Sequence, residues 1–314
     1  MSGKLIKQKL GKTGLELTLL GYGAMEIRGS RIWDGRPVTD KQAESILNAV
    51  LDGGINFIDT ANDYGRSEEF IGKFLSKRRK EFYIATKCGC TVVKKDEKTD
   101  DTPHFWTREN LFRGLNESLK RMKTDYIDIM QLHNPTLEQV EENQCIDALL
   151  EMKKQGKVRH IGISTTLPHL PKYLKMGIWE VFQIPYSALD REHENWIAES
   201  SKAGIGTIIR GGVARGEPNV GYCLRFEDKW KKFEEAKLDE LRGEGESRTG
   251  FLLRFVMSHP HIHTIIAGTL IPKHLKENIQ ISFKGPLTLE IYNEAKRRLE
   301  EVGVKPATTT DVKS

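Results

Sequence analysis

Strand-like and helix-like segments alternate along almost the whole chain. Apolar runs at residues 19–23, 82–87 and 126–133 have the composition of buried strands, and each is followed by the apolar spacing of an amphipathic helix. We count eight such strand–helix pairs in succession, with no linker or change of composition between them. Eight pairs in one uninterrupted stretch predict a single α/β domain, a (β/α)8 or TIM barrel.

Two further elements flank the predicted barrel. Residues 5–20 alternate apolar and polar side chains around turn-forming glycines, which predicts an N-terminal β-hairpin. Residues 287–302 have the spacing of an extra amphipathic helix at the C-terminal end. We therefore assign residues 1–304 to the barrel domain and expect the polar residues 305–314 to form a disordered tail.

A doubly wound sheet is the main alternative to the barrel. Sheets of that class bind dinucleotides through a fingerprint of three glycines that follows the first strand. Here only Gly21 and Gly23 stand at the corresponding place, and the third glycine is missing. The Rossmann motif is therefore absent, and the barrel is the preferred fold.

Composition excludes two classes of partner. The net charge is only +5 against 49 basic and 44 acidic residues, and no basic stripe is interleaved with aromatic residues, so we expect no nucleic-acid partner. No apolar run approaches the ~20 residues that a membrane helix needs. With no targeting segment in the sequence, we expect a cytoplasmic protein without a membrane partner.

The cysteines predict neither disulfides nor a metal site. Cys88, Cys90, Cys145 and Cys223 are too few and too scattered for a disulfide framework. Cys88 and Cys90 are separated by one residue, and neither a second pair nor a histidine follows at a spacing typical of metal ligands. We expect reduced thiols and no bound metal.

Four polar residues stand at or just beyond the ends of three predicted strands. Asp59 ends the second strand, Lys87 the third and His133 the fourth, while Tyr64 lies in the loop after Asp59. In a barrel the carboxyl ends of neighbouring strands open on one rim, where active sites lie. We therefore expect these four side chains to converge.

The four residues suit the reduction of a carbonyl group. A tyrosine phenol has a pKa near ~10, and a lysine ammonium beside it favours its ionised form. An aspartate can hold that ammonium in place, and a histidine can polarise a carbonyl oxygen. Because no side chain donates hydride, such a site needs a nicotinamide cofactor. Taken alone, Lys87 is also compatible with an ordinary surface lysine, and Asp59 with a residue that caps a turn. The four residues together favour a catalytic site.

Several short segments carry a resemblance to a known family. They are residues 9–15, 57–65, 85–87, 132–135, 158–164 and 268–278. On these segments the chain resembles the aldo-keto reductase superfamily over nearly its whole length. The resemblance implies a barrel that binds NADP(H) or NAD(H) extended across its mouth, and hydride transfer between the nicotinamide and a small aldehyde, ketone or sugar. It also implies a catalytic set, with Tyr64 as general acid, that consists of Asp59, Tyr64, Lys87 and His133.

The resemblance further implies a set of cofactor contacts. Ser164 and Gln183 match positions that hold the nicotinamide carboxamide, and Glu277 and Asn278 match adenine contacts at the start of the last barrel helix. The remaining positions assigned to the cofactor are Gly23, Ala24, Thr165, Arg210, Gly211, Val213, Arg215, Gly268, Lys273 and His274.

Three positions in the chain depart from the family pattern. Thr165 replaces the usual asparagine, which puts one carboxamide hydrogen bond in doubt. Arg210 stands where an aromatic ring commonly stacks on the nicotinamide, and it can either stack there or bind the pyrophosphate. Leu270 stands where NADP-selective members often carry a basic residue, although Lys273 or His274 can still meet a 2′-phosphate.

Two alternative functions share the same fold and cofactor. One is a redox-sensing accessory subunit that turns over slowly. The other, which Arg210 favours, is an enzyme that retains its nicotinamide and transiently oxidises a sugar within one cycle. Trp33, Trp106 and Trp230 lie in or near the loops that would shape a substrate pocket, where they could stack on a sugar or simply pack.

Overall fold

The computed structural model describes residues 4–218 and 227–308. Within them lie twelve strands: β1 (Lys7–Lys9), β2 (Glu16–Thr18), β3 (Leu20–Gly23), β4 (Phe57–Asp59), β5 (Tyr83–Cys88), β6 (Val93–Lys94), β7 (Asp100–Asp101), β8 (Ile127–His133), β9 (Val158–Ser164), β10 (Val181–Pro185), β11 (Gly206–Arg210) and β12 (Thr264–Ala267). The same residues form eleven α-helices: α1 (Asp40–Asp52), α2 (Ser67–Leu75), α3 (Arg108–Met122), α4 (Leu137–Glu142), α5 (Cys145–Lys154), α6 (Leu170–Met176), α7 (Glu194–Lys202), α8 (Glu227–Glu235), α9 (Arg248–Met257), α10 (Pro272–Lys284) and α11 (Leu289–Glu301).

Eight of these strands close into a parallel barrel. Around the barrel the order is β10, β11, β12, β3, β4, β5, β8 and β9, each paired in parallel with its neighbours. Apolar side chains fill the space between the strands and the surrounding helices. The predicted (β/α)8 barrel is confirmed.

The predicted N-terminal hairpin covers one end of the barrel. Strands β1 and β2 pair antiparallel, with Gln8 opposite Leu17. Leu10 and Leu17 are fully buried and share a core cluster with Phe57 and Ile129 from the barrel strands. The hairpin therefore seals the end opposite the strand ends that carry Asp59 and His133.

Local sequence sets several helix boundaries. Thr39 caps α1 in a capping box with Gln42, and Thr107 caps α3 by accepting a hydrogen bond from the Asn110 N–H. The sequence Ser67-Glu68-Glu69 before an apolar run predicts a helix cap at Ser67, but Ser67 is the first residue inside α2. Its Oγ instead donates to the Ala24 carbonyl at 2.7 Å, which ties α2 to the loop after β3.

Three segments differ from what their sequence patterns predict. The pattern over residues 137–155 predicts one helix, which is broken into α4 and α5 by Gln144, whose φ of 50° is left-handed. The polar run at 94–102 predicts a loop, but β6 and β7 pair there as a short hairpin. The charged segment 229–241 predicts one helix, but α8 ends at Glu235 and a separate 3₁₀ turn follows at Leu238–Leu241.

Helix α11 is held to the barrel by a buried arginine. Arg191 Nη1 donates to the Lys296 and Val304 carbonyls at 3.1 and 3.2 Å. Beyond it, the Ala307 N–H donates to the Glu192 carbonyl at 3.1 Å, so the first part of the expected tail packs on the barrel. The rest of that tail, residues 309–314, lies outside the described residues, as does Cys223.

The expectations for the cysteines and for membrane helices can be compared with the described residues. Cys88, Cys90 and Cys145 are buried free thiols. Among residues 4–218 and 227–308, we find no helix that is both long and apolar enough to span a bilayer.

Candidate active site

The four polar residues singled out in the sequence lie together at the mouth of the barrel. Asp59 ends β4, Lys87 lies near the end of β5, and His133 ends β8. Tyr64 lies in the loop between β4 and α2. The exposed fraction is 1% for Asp59, 1% for Lys87 and 9% for His133, so the cluster is shielded from solvent.

Asp59 and Lys87 form a buried ion pair. Lys87 Nζ donates to Asp59 Oδ1 at 2.7 Å and to the Thr60 carbonyl at 2.8 Å. The other carboxylate oxygen, Oδ2, accepts from Gln131 Nε2 at 3.1 Å and from Gln183 Nε2 at 2.7 Å. Burial alone would lower the pKa of Lys87, but the Asp59 carboxylate holds it above its ordinary value, so the ammonium stays charged.

Tyr64 lies against this ammonium. Lys87 Nζ is 5.0 Å from the centre of the Tyr64 ring, and the His133 ring centre is 6.1 Å away on an edge-on approach. Burial raises the pKa of Tyr64, and the opposing charges of Lys87 and Arg210 do not cancel that effect. The phenol therefore keeps its proton, which makes it a donor in the resting site rather than a phenolate.

A close approach of two backbones fixes the Tyr64 loop. Gly65 has a φ of 45°, and a Cβ there would lie 2.2 Å from the Arg28 carbonyl oxygen. That oxygen accepts from the Arg66 N–H at 3.0 Å. Only glycine fits here, because a side chain would push the Tyr64 loop away from the loop that follows β3.

Trp33 covers one side of Tyr64. Arg28 Nη2 donates to the Trp33 carbonyl at 3.1 Å, and the Trp33 ring stands edge-on to Tyr64 at 5.7 Å between centres. Trp33 is 41% exposed, so its ring is available to a ligand. Trp106 and Trp230, in contrast, are buried and belong to the apolar core.

The loop that carries Trp33 is joined to the β6/β7 hairpin across the mouth. Arg31 Nε donates to Asp100 Oδ2 at 2.8 Å, and its Nη1 donates to the Glu97 carbonyl at 2.7 Å. In return the Asp100 N–H donates to the Arg31 carbonyl at 2.9 Å. Two loops from different strands thus meet above the site.

His133 has neighbours that sequence reasoning missed. Its Nδ1 lies 2.9 Å from Cys90 Sγ and 3.3 Å from Asp63 Oδ2, and the His104 ring centre is 5.5 Å from its own. Asp63 precedes Tyr64 in the chain, which was an available signal. Cys90 and His104 lie in another loop, and their spacing to His133 resembles no linear motif.

The residues assigned to the cofactor line the other half of the rim. Ser164 and Arg210 end β9 and β11, Gln183 lies in β10, and the N–H of Thr165 donates to the Gln183 carbonyl at 3.0 Å. Ser164 Oγ donates to Asn134 Oδ1 at 3.0 Å, a partner that the sequence did not indicate. The other assigned positions end or follow β3, follow β11 and β12, or lie in the first turns of α10: Gly23, Ala24, Gly211, Val213, Arg215, Gly268, Lys273, His274, Glu277 and Asn278.

This half of the rim fits a dinucleotide. The Nε of Arg210 is buried and has no hydrogen-bond partner among the described residues, which leaves a donor for a ligand. A Cβ on Gly268 would lie 2.6 Å from the Gly23 carbonyl, so the backbones of β3 and of the turn after β12 run unusually close. Arg210, Arg215 and Lys273 add positive charge that suits an anionic ligand.

A parallel barrel with a lysine–aspartate pair, a protonated tyrosine and a histidine at its mouth defines a class of nicotinamide-dependent oxidoreductases. Residues 19–298 match the model of the Aldo/keto reductase family. The chain belongs to this family, and the protein is an oxidoreductase of the aldo-keto reductase type that uses NAD(P)(H). The predicted resemblance is confirmed.

Individual relatives agree with this assignment. The chain is 30% identical over 302 residues to the uncharacterized oxidoreductase YqkF of Bacillus subtilis, covering 90% of this chain and 93% of that one. It is 33% identical over 205 residues to the NADH-specific methylglyoxal reductase of Escherichia coli, covering 60% and 61%. The holo form of the aldo-keto reductase AKR11C1 from Bacillus halodurans superposes with a TM-score of 0.82 at 27% identity, covering 98% and 100%.

A substitution at Arg210 tests whether its guanidinium faces the nicotinamide. The oxidised ring is cationic, so a guanidinium against it should disfavour the oxidised form. We expect Arg210→Tyr to favour NAD(P)+ over NAD(P)H about tenfold more than the parent does, which corresponds to ~1.4 kcal/mol. Dissociation constants for both forms, titrated by protein fluorescence in parent and variant, check this.

Arg215→Met serves as the matched control for that measurement, because Arg215 is exposed beyond the strand end. Arg215→Met should weaken the binding of NAD(P)+ and of NAD(P)H by the same factor. An unchanged ratio in Arg210→Tyr contradicts stacking, and equal weakening of both forms assigns Arg210 to the pyrophosphate.

Proposed function

We propose that the protein reduces the carbonyl group of a small aldehyde, ketone or sugar, with Tyr64 as the general acid. The observation that carries this proposal is the position of the phenol. The half-buried Tyr64 ring has its centre 5.0 Å from Lys87 Nζ, and this ammonium would favour the phenolate once the proton has left. A group of this kind donates its proton when negative charge develops on a nearby oxygen.

Each of the other three residues has a separate part in the proposal. Lys87 stabilises the negative charge on Tyr64 after proton transfer, and Asp59 keeps Lys87 charged and in place through the 2.7 Å contact. His133 donates a hydrogen bond to the substrate oxygen and orients the carbonyl. NAD(P)H, when bound, would supply the hydride for the carbonyl carbon. The Trp33 ring, exposed beside Tyr64, covers the substrate.

Turnover assays with a panel of carbonyls test this function. The panel contains methylglyoxal, a short aliphatic aldehyde, a ketone and an aldose, each with NADH and with NADPH. We include methylglyoxal because a relative reduces it, and we expect substrate-dependent oxidation of the nucleotide with at least one member. Tight nucleotide binding without any turnover would contradict the proposal and support a redox-sensing subunit. A nucleotide that copurifies and is never exchanged, identified by mass spectrometry, would support transient sugar oxidation within one cycle.

The choice of nucleotide is a further prediction. Leu270 carries no charge, and the exposed Lys273 is one turn away in α10. One charge-assisted hydrogen bond to a 2′-phosphate is worth about 1.5–3 kcal/mol, or about ten- to hundredfold in affinity. We therefore expect NAD(H) and NADP(H) affinities that differ by no more than about this factor, measured by titration of both.

Leu270→Arg should shift the preference towards NADP(H), and Leu270→Met, which adds length without charge, should leave it unchanged. A parent preference for NADP(H) of several thousandfold would contradict the prediction and identify Lys273 or Arg215 as a strong phosphate anchor.

A further inference from the structure

Four side chains of metal-ligand type meet beside His133. They are Asp63, Cys90, His104 and His133, and one ligand atom from each lies within 4.8 Å of the corresponding atoms of the other three. A tetrahedral zinc ion with bonds of about 2.0–2.3 Å separates its ligands by about 3.3–3.8 Å. The four atoms therefore need only small shifts to surround one ion.

The buried carboxylate gives an independent reason to expect a cation. Asp63 has no exposed surface, and neither of its oxygens accepts a well-directed hydrogen bond from any described residue. Its contacts outside that criterion lie within the cluster itself, to His133 Nδ1 at 3.3 Å and to the Cys90 thiol. A buried carboxylate normally has several hydrogen-bond donors, so Asp63 is poised to accept another positive group.

The loop that presents Cys90 and His104 is held in place before any ion binds. Cys90 and His104 pair across a short antiparallel bridge, flanked by the Phe105 N–H donating to the Gly89 carbonyl at 2.7 Å. The His104 ring stacks on Trp106, which in turn lies against Gly89, where a Cβ would be 2.0 Å from the ring. Ligands fixed in this way lose little entropy when a metal binds.

The neighbouring loop is fastened to the same segment. Asn62 Nδ2 donates to the Cys90 carbonyl at 3.1 Å, which joins the chain just before Asp63 to the chain at Cys90. The charge of Lys87 acts on Asp63 and would repel an incoming metal ion, but the Lys87 ammonium is already engaged by Asp59 and the Thr60 carbonyl.

We propose that Asp63, Cys90, His104 and His133 form a binding site for a zinc-class divalent cation. The thiolate and the carboxylate balance its two charges, and two neutral imidazoles complete a tetrahedral set of S, O and N ligands. Binding releases the Cys90 thiol proton to solvent as the sulfur–metal bond forms. With the metal on Nδ1, the remaining ring proton of His133 is placed on Nε2.

Equilibrium dialysis against zinc in a weak chelator buffer tests the site directly. We expect the full-length protein to retain about one zinc per chain, measured by atomic emission. His104→Ala and Cys90→Ser should each weaken zinc binding at least tenfold, the effect of losing one ligand. His104 is exposed, so His104→Ala removes a ligand without opening the core. The matched controls are His169→Ala and Cys145→Ser, which should bind zinc as the parent does.

Cobalt provides a second measurement that identifies the sulfur ligand. The cobalt-loaded parent and Cys145→Ser should show thiolate-to-cobalt charge-transfer absorption, and Cys90→Ser should lack it. Zinc should also raise the melting temperature of the parent but not of His104→Ala. The proposal is overturned if the parent binds no more zinc than His104→Ala, or if the control variants lose zinc to the same extent.

Discussion

Tyr64→Phe is expected to lower the turnover number at saturating carbonyl substrate by at least ~10²-fold, the low end for the loss of a general acid. The substitution removes one oxygen and its proton and keeps the ring against Trp33 and His133. Nucleotide affinity should remain within a few-fold, because Tyr64 is not among the residues assigned to the cofactor. Steady-state kinetics and a nucleotide titration on the same preparation separate the two quantities.

Tyr126→Phe is the matched control for this experiment. Tyr126 lies at the opposite end of β8, where its ring is covered by the guanidinium groups of Arg79 and Arg159 at 4.3 and 4.0 Å. The substitution Tyr126→Phe removes the same phenolic oxygen far from the barrel mouth, and it should leave turnover unaltered. If Tyr64→Phe turned over within a few-fold of the parent, the acid would have to be another group.

Asp59→Asn is expected to reduce the free energy of unfolding by about 3–5 kcal/mol, the typical cost of leaving one partner of a buried pair without its counterion. The amide supplies no charge to the Lys87 ammonium, which is only 1% exposed. It also offers a donor where the Gln131 and Gln183 amides need an acceptor. Denaturant unfolding, monitored by tryptophan fluorescence, measures the difference.

The same substitution at an exposed pair is the control. Asp40 pairs with Lys73 at the surface, where both side chains are nearly half exposed. Asp40→Asn should cost no more than about 1 kcal/mol, because solvent screens such pairs. The double variant Asp59→Asn/Lys87→Met should recover part of the loss, since it leaves no charge unpaired. A cost below about 1 kcal/mol for Asp59→Asn would show that Lys87 is not buried as an ammonium.

The barrel was predictable because its strands are short, mostly apolar runs with polar residues at their ends. The run at residues 126–133 agrees with β8 except that the strand begins one residue later. The break between α4 and α5 was not predictable, because Asn143 and Gln144 are compatible with a helix. The left-handed backbone of Gln144 is imposed by the surroundings rather than by its own preference.

The convergence at the barrel mouth could also be predicted, because parallel strands put their carboxyl ends on one rim. The direction of the shift in the pKa of Tyr64 could not. Sequence reasoning weighed the ammonium of Lys87, which lowers that pKa, but the burial that raises it is a property of the assembled loops. Cys90 and His104 escaped notice for a similar reason. Metal motifs are recognised by spacing along the chain, and these side chains are brought together from different segments of the barrel mouth.

The bridge made by Arg31 has a consequence for how a substrate enters. One of the joined loops carries Trp33 next to Tyr64, and the other belongs to the segment that ends with His104 next to His133. Five hydrogen bonds of Arg31 connect them, so neither loop can move aside without breaking contacts to the other. We therefore expect the two loops to open together rather than independently. On the proposal that Tyr64 donates the proton and His133 orients the carbonyl, both groups would be uncovered, and covered again, in one step.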